Sequence, residues 1–157
     1  MPTGSTSVVG TANATFYITG VQLEAGTTAS PFEYRQYGTE LALCQRYYVK
    51  VASGNYGNNS EINVGWYYTT AHMSFFIMSP VAMRTSPTLS ATSGTDYYII
   101  YRNGANDAFN SITGEVSNAA NTMLSCYNNT DMSGTAGQAG IVRTNNASAF
   151  VALTAEL

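Results

Sequence analysis

The side chains able to do chemistry are few and scattered. His72 is the only histidine in the 157 residues. One imidazole cannot build a histidine-rich metal site, and neither Cys44 nor Cys126 has a partner at zinc-ligand spacing. A Ser-His-Asp triad needs only one histidine. No nucleophile-elbow pattern is present, however, and His72 falls between Thr70-Ala71 and the start of a strand pattern, where it reads as a structural or surface residue. Glycan cleavage needs two carboxylates flanking the scissile bond. The acids are Glu24, Glu33, Glu40, Glu61, Asp96, Asp107, Glu115, Asp131 and Glu156, and they form no sequence motif. Glu33 and Glu40 lie close to Arg35 and Arg46 in sequence and read as capping or pairing groups. Asp107 and Asp131 have Asn neighbours that could add oxygen ligands for calcium, but no calcium-loop pattern surrounds them. The glycines sit in Asn/Ser/Thr turns and form no phosphate-binding loop. The expectation is a chain that is not an enzyme and holds no metal or cofactor.

What remains is binding. Sugar recognition uses an aromatic face together with directional hydrogen bonds. Tyr56, Tyr67 and Tyr127 each lie beside or near an Asn-rich turn and are the surface-binding candidates. The competing reading is that tyrosine is an ordinary sheet residue. Trp66 alternates with Ile62 and Val64 and is assigned to the core.

The elements that must position these residues are mostly strands. Residues 46–52, 73–78, 96–102, 122–127, 140–143 and 149–157 have strand chemistry, as does the run through Ile62, Val64 and Trp66. Met73, Phe75 and Ile77 share one face, and Phe76 and Met78 the other. Tyr97, Ile99 and Tyr101 likewise oppose Tyr98 and Ile100. Short strands separated by Gly/Asn turns predict an all-β, antiparallel sandwich of jelly-roll type. Two strands with apolar residues on both faces need cover on both, from loops, the helix or another subunit. Further upstream, Phe16 and Ile18 alternate, Gly20 interrupts, and Val21 and Leu23 resume out of phase, which predicts a first strand with a β-bulge.

One helix signal stands out. Within "PFEYRQYGTELALCQRYY", residues 31–48, Thr39 can act as N-cap with Glu40 at the positive end of the dipole. Leu41, Cys44 and Tyr48 follow on one face. The predicted organisation is an N-terminal arm and first strand (1–30), a linker with a short helix (31–45) and a β-sandwich domain (46–157).

Composition narrows the partners. Charged residues are 10% of the chain and the net charge is −3, without runs or a basic patch, so nucleic acid is not an expected partner. The N-terminus lacks the basic and apolar regions of a secretory signal, and no apolar run is long enough to span a membrane. The two cysteines do not support a disulfide framework and read as two buried free thiols.

The segment "GVQLEAGTTASPFEYRQYGTELALCQRYY" resembles one found in tail-fibre and related virion proteins of tailed bacteriophages, where "FYITGVQLE-G" precedes "PFEYR--G-ELALCQRYY". The pieces "MRTSPT" (83–88) and the terminal "AFVALTAEL" (149–157) are similar to that family's "MR--PT" element and closing strand. The likeness runs from about Phe16 to the end, and 94–147 agrees only in style. It implies a virion structural protein, localised to the tail fibre or capsid surface. Fibre-type proteins of this kind are usually trimers about the fibre axis, and Leu41, Cys44 and Tyr48 are candidates to line that axis. Packing on their own subunit's sheet is the equal alternative. The implied partners are further copies of the chain, other virion proteins and a host-surface glycan met by the loops at 53–60 and 128–140. A head-decoration protein, favoured by the short length and the absence of a fibre shaft, is the second expectation, and a glycan-cleaving spike enzyme the third.

Overall fold

A computed structural model of the chain describes residues 21, 23, 25–28, 30, 31, 34–54 and 60–155, with the side chains of 116–119 left out. The first-strand prediction through Phe16 and Ile18, candidate Tyr56 and the last two residues lie outside the described residues. The chain divides into two units, Met1–Gln36 and Tyr37–Leu157. The division groups the helix with the strands. In the first unit Val21, Leu23 and Tyr34 are exposed.

The second unit opens with α1, Tyr37–Gln45. Its first turn already contains Thr39, so Thr39 is a helical residue and not the cap. Glu40 keeps the expected place at the positive end of the dipole. Among the described residues ten strands follow: β1 Tyr48–Ser53, β2 Glu61–Thr69, β3 His72–Met78, β4 Thr88–Ala91, β5 Tyr98–Tyr101, β6 Asp107–Phe109, β7 Thr113–Ala120, β8 Met123–Asn128, β9 Ala139–Thr144 and β10 Phe150–Thr154.

They form an all-β, sandwich-like fold with two antiparallel sheets of unequal width. The smaller has the order β1-β10-β4 and the larger β6-β5-β9-β2-β3-β8-β7. Strand β10, the predicted closing strand, is therefore central in its sheet. Val151 and Leu153 are fully buried and share one core with Met73, Phe75, Ile77, Leu124 and Cys126 of the larger sheet. The predicted two-faced alternation holds in β3, where Met73, Phe75 and Ile77 are buried while Phe76 and Met78 are exposed. In β5, Tyr98 and Ile100 point inward.

Trp66 is not a core residue. The pairing of β2 with β9 shifts register between Glu61 and Asn63. That bulge changes the phase of alternation, so Ile62 packs on the core while Val64 and Trp66 stay on the outer face. Gly65 and Tyr67 take the inward positions.

The three stretches that carry the sequence resemblance meet at one place, beside the C-terminal end of α1. The Arg84 amide donates to the Arg46 carbonyl at 2.8 Å, and the Ala155 amide to the Tyr47 carbonyl at 2.8 Å. The Arg84 guanidinium lies 5.8 Å from the centre of the Tyr47 ring, a cation–π contact. Met83, 2% exposed, enters the core at this point, and its amide donates to the Asn121 carbonyl at 2.7 Å. Met83→Ala deletes a buried side chain at this junction and is expected to cost about 2–5 kcal/mol of unfolding free energy. Urea denaturation followed by circular dichroism reads this directly, and an unchanged midpoint would contradict the packing.

Candidate functional site

Two surfaces of the second unit combine apolar chemistry with exposure. The first is α1. Leu41, Ala42, Leu43 and Cys44 are consecutive, so their side chains wrap around the helix instead of forming a stripe. Here none of the nine residues is buried. The three axis candidates, Leu41, Cys44 and Tyr48, are all exposed, Leu41 and Cys44 on α1 and Tyr48 at the start of β1. Cys44 is thus not the buried thiol expected of it, whereas Cys126 is. Gly38, Ala42 and Leu43 of α1 face Val81 and Ala82 across an open cleft of about 580 Å³.

The second surface is the outer face of the larger sheet. Directly paired residues of antiparallel strands share a face. Tyr101 pairs with Ile141, and Ile141 with Val64. Continuing the Gly65–Phe75 pairing brings Phe76 beside Val64. A band of exposed apolar residues thus crosses four strands. Trp66 packs against Phe76, ring centres 5.3 Å apart. Arg143 lies 4.0 Å above the Tyr101 ring and covers one end of the band.

Candidate Tyr127 lies on this same face, half-buried, in contact with His72 at a ring separation of 5.3 Å. Tyr68, 72% exposed, meets the other side of His72. Sequence reasoning missed Tyr68. Its neighbour Tyr67 was the candidate, and Tyr67 is a core residue at 1% exposure.

The inward turn of Tyr67 organises the loop between β8 and β9. Its hydroxyl donates to Asp107 Oδ2 at 2.6 Å, and the Ser133 amide donates to the same oxygen at 2.6 Å. The Arg102 guanidinium stacks 4.6 Å over the Tyr67 ring and donates from Nη1 to Gln138 Oε1 at 2.6 Å. Gly134 packs so closely that a Cβ there would overlap the ring. Met132 is buried and the Gly134 amide donates to the Thr70 carbonyl at 2.8 Å. The 128–140 loop, expected as distal, variable surface, is tied onto the sheet by these contacts. The two calcium candidates are engaged here as acceptors, Asp107 as above and Asp131 Oδ2 from the Asn110 amide at 2.8 Å. Among the described residues, no group of three His, Cys, Asp or Glu converges. No described helix is long and apolar enough to cross a membrane.

Comparison of the chain with protein-family models, curated proteins and solved structures finds no match.

Tyr67→Phe removes a hydrogen bond to a charged acceptor and is expected to destabilise the fold by about 1–3 kcal/mol in urea denaturation; equal stability would show that the hydroxyl is not needed. Burial pushes the Cys126 thiol from its ordinary value near 9 up to about 12. Burial first, then the hydrogen bond its hydroxyl donates to Asp107, raises Tyr67, and burial raises Tyr98. The unfolded chain releases these protons at lower pH than the folded one. Their contribution is therefore complete below pH 9 and falls as pH rises from 9 towards 12. Thiol titration at neutral pH should count one fast group, Cys44, with Cys126 reacting only on unfolding; two fast thiols would contradict the burial of Cys126.

Proposed function

We propose that the chain is a non-enzymatic structural module of a tailed-phage virion, of the tail-fibre type. It self-associates as a homotrimer and presents the sandwich for recognition of a host-surface glycan. The observation that carries this reading is α1, a helix with exposed Leu41 and Cys44 and no buried residue, placed within the stretch that resembles the phage segment. In a trimer, Leu41, Cys44 and Tyr48 face the axis and neighbouring copies supply the cover that one chain lacks. Three shallow sites held at fixed separation then act together, so weak individual contacts give firm attachment.

A capsid decoration protein is the second reading. The exposed Val21, Leu23 and Tyr34 favour it, because an apolar arm can lie along capsid proteins. A glycan-cleaving spike is least favoured. Asp107 and Asp131 accept hydrogen bonds from backbone amides, and Asp107 also from the Tyr67 hydroxyl, an arrangement that serves loop structure.

Light scattering on the purified protein tests self-association. The expected mass is three times the 16.8 kDa of the chain. The double variant Leu41→Glu/Tyr48→Glu is expected to run at the single-chain mass with an unchanged circular dichroism spectrum. A folded wild-type monomer at micromolar concentration would overturn the trimer.

A further inference from the structure

The outer face of the larger sheet is not uniform. Its middle carries the band through Ile141 and Val64. Its hairpin end, where β2 turns into β3, is built from rings and hydroxyls. There Tyr68 meets His72 edge-on at 5.8 Å, and His72 stacks on Tyr127 with planes 25° apart. A register shift between Tyr67 and Thr69 makes this arrangement. Tyr67 turns inward to Asp107, while Tyr68 is kept on the outer face beside His72. Tyr127 is fixed by pairing with Ser74 on one side and Thr113 on the other, and Ser74 pairs in turn with Trp66. The row Thr113, Tyr127, Ser74, Trp66 thus alternates hydroxyl and ring, with no charged member.

We infer that this hairpin end is a binding subsite for a neutral glycan, about a disaccharide in length, with pyranose C–H faces on Tyr68 and Tyr127 and sugar hydroxyls reaching Ser74 and Thr113. The inference rests on the host-glycan reading above and gives it a location. Exposed ring faces attract the partly positive C–H groups of a sugar, and adjacent hydroxyls supply direction. An acidic sugar would lose hydration here and meet no Lys or Arg among these residues. An extended peptide seeking backbone pairing has no free edge at this place, because β2, β3 and β8 are all interior strands. Neighbouring strands lie about 4.8 Å apart, so β2 to β8 spans about 10 Å, the scale of two sugar rings.

The test is binding of the intact protein to an array of neutral and acidic oligosaccharides, with Tyr68→Ala, Tyr127→Ala and Tyr68→Phe alongside and folding checked by thermal melts. Neutral oligosaccharides are expected to bind at least about tenfold more weakly to each alanine variant, while Tyr68→Phe, which keeps the ring, stays within about threefold. Neutral binding that is undiminished in both alanine variants overturns the subsite and leaves the host-glycan reading standing. Binding of acidic glycans alone overturns the ligand class. If the alanine variants change the solution mass and no glycan binds the wild type, the ladder is an interface between copies. No glycan binding by a wild type that still attaches to cells overturns the glycan reading together with the subsite.

Discussion

The architecture depends on an imbalance of cover. Seven strands form one sheet and three form the other, and the small sheet shields only the inner face of the large one. The inner face gains a continuous core reaching from Val49 and Leu153 to Phe75 and Phe109. The outer face keeps exposed Val64, Phe76, Met78, Tyr101 and Ile141. Single exposed apolar residues are ordinary, but a contiguous band across paired strands is the kind of patch that marks an interaction surface. The chain offsets part of the cost itself, through Arg143 on Tyr101 and Trp66 on Phe76. The rest is suited to a partner, whether a sugar at the hairpin end or another protein surface in the middle.

The interior is also pinned by polar groups, most tightly around Tyr67. The inward Tyr67 places a hydroxyl in the core, which is tolerable only when it is hydrogen-bonded. Asp107 satisfies it and at the same time holds the Ser133 amide. A phenol that could have been a surface group thereby becomes the anchor of the loop running past Met132 and Gly134. This anchoring lets its neighbour Tyr68 stand outward on a fixed backbone. The C-terminal end of α1 is fixed at Arg46 and Tyr47, where Arg84 and Ala155 bond the backbone. Along the helix Ala42 and Leu43 are half-buried while Leu41 and Cys44 are exposed.

The fold class was legible because β3 and β5 alternate without interruption, and their inward and outward sets match the pattern read from residue types. Strands β4, β6 and β7 were not legible. Thr88–Ala91 and Asp107–Phe109 are too short to show a period, and Thr113–Ala120 is polar with a glycine, so pairing with β8 and not propensity makes it a strand. Of the described surface candidates, Tyr127 lies on the outer face and Tyr67 in the core. The misplacement of Trp66 and Tyr67 has one cause: bulges at both ends of β2, which a period-two reading cannot locate, set which face each residue meets. Cys44 was assigned to the interior on the habit of its residue type, and it is exposed on α1.

The central claim is that surfaces left bare by one chain are covered by partners, and α1 is where it is most exposed to test. A nine-residue helix without buried residues should fray on its own. Hydrogen exchange of the backbone amides of α1 in the intact protein, followed by mass spectrometry over a dilution series, measures this cover. The account predicts strong protection of α1 at concentrations where copies associate, lost on dilution while the amides of β3 and β8 stay protected. Exchange of α1 within seconds at every concentration would contradict it.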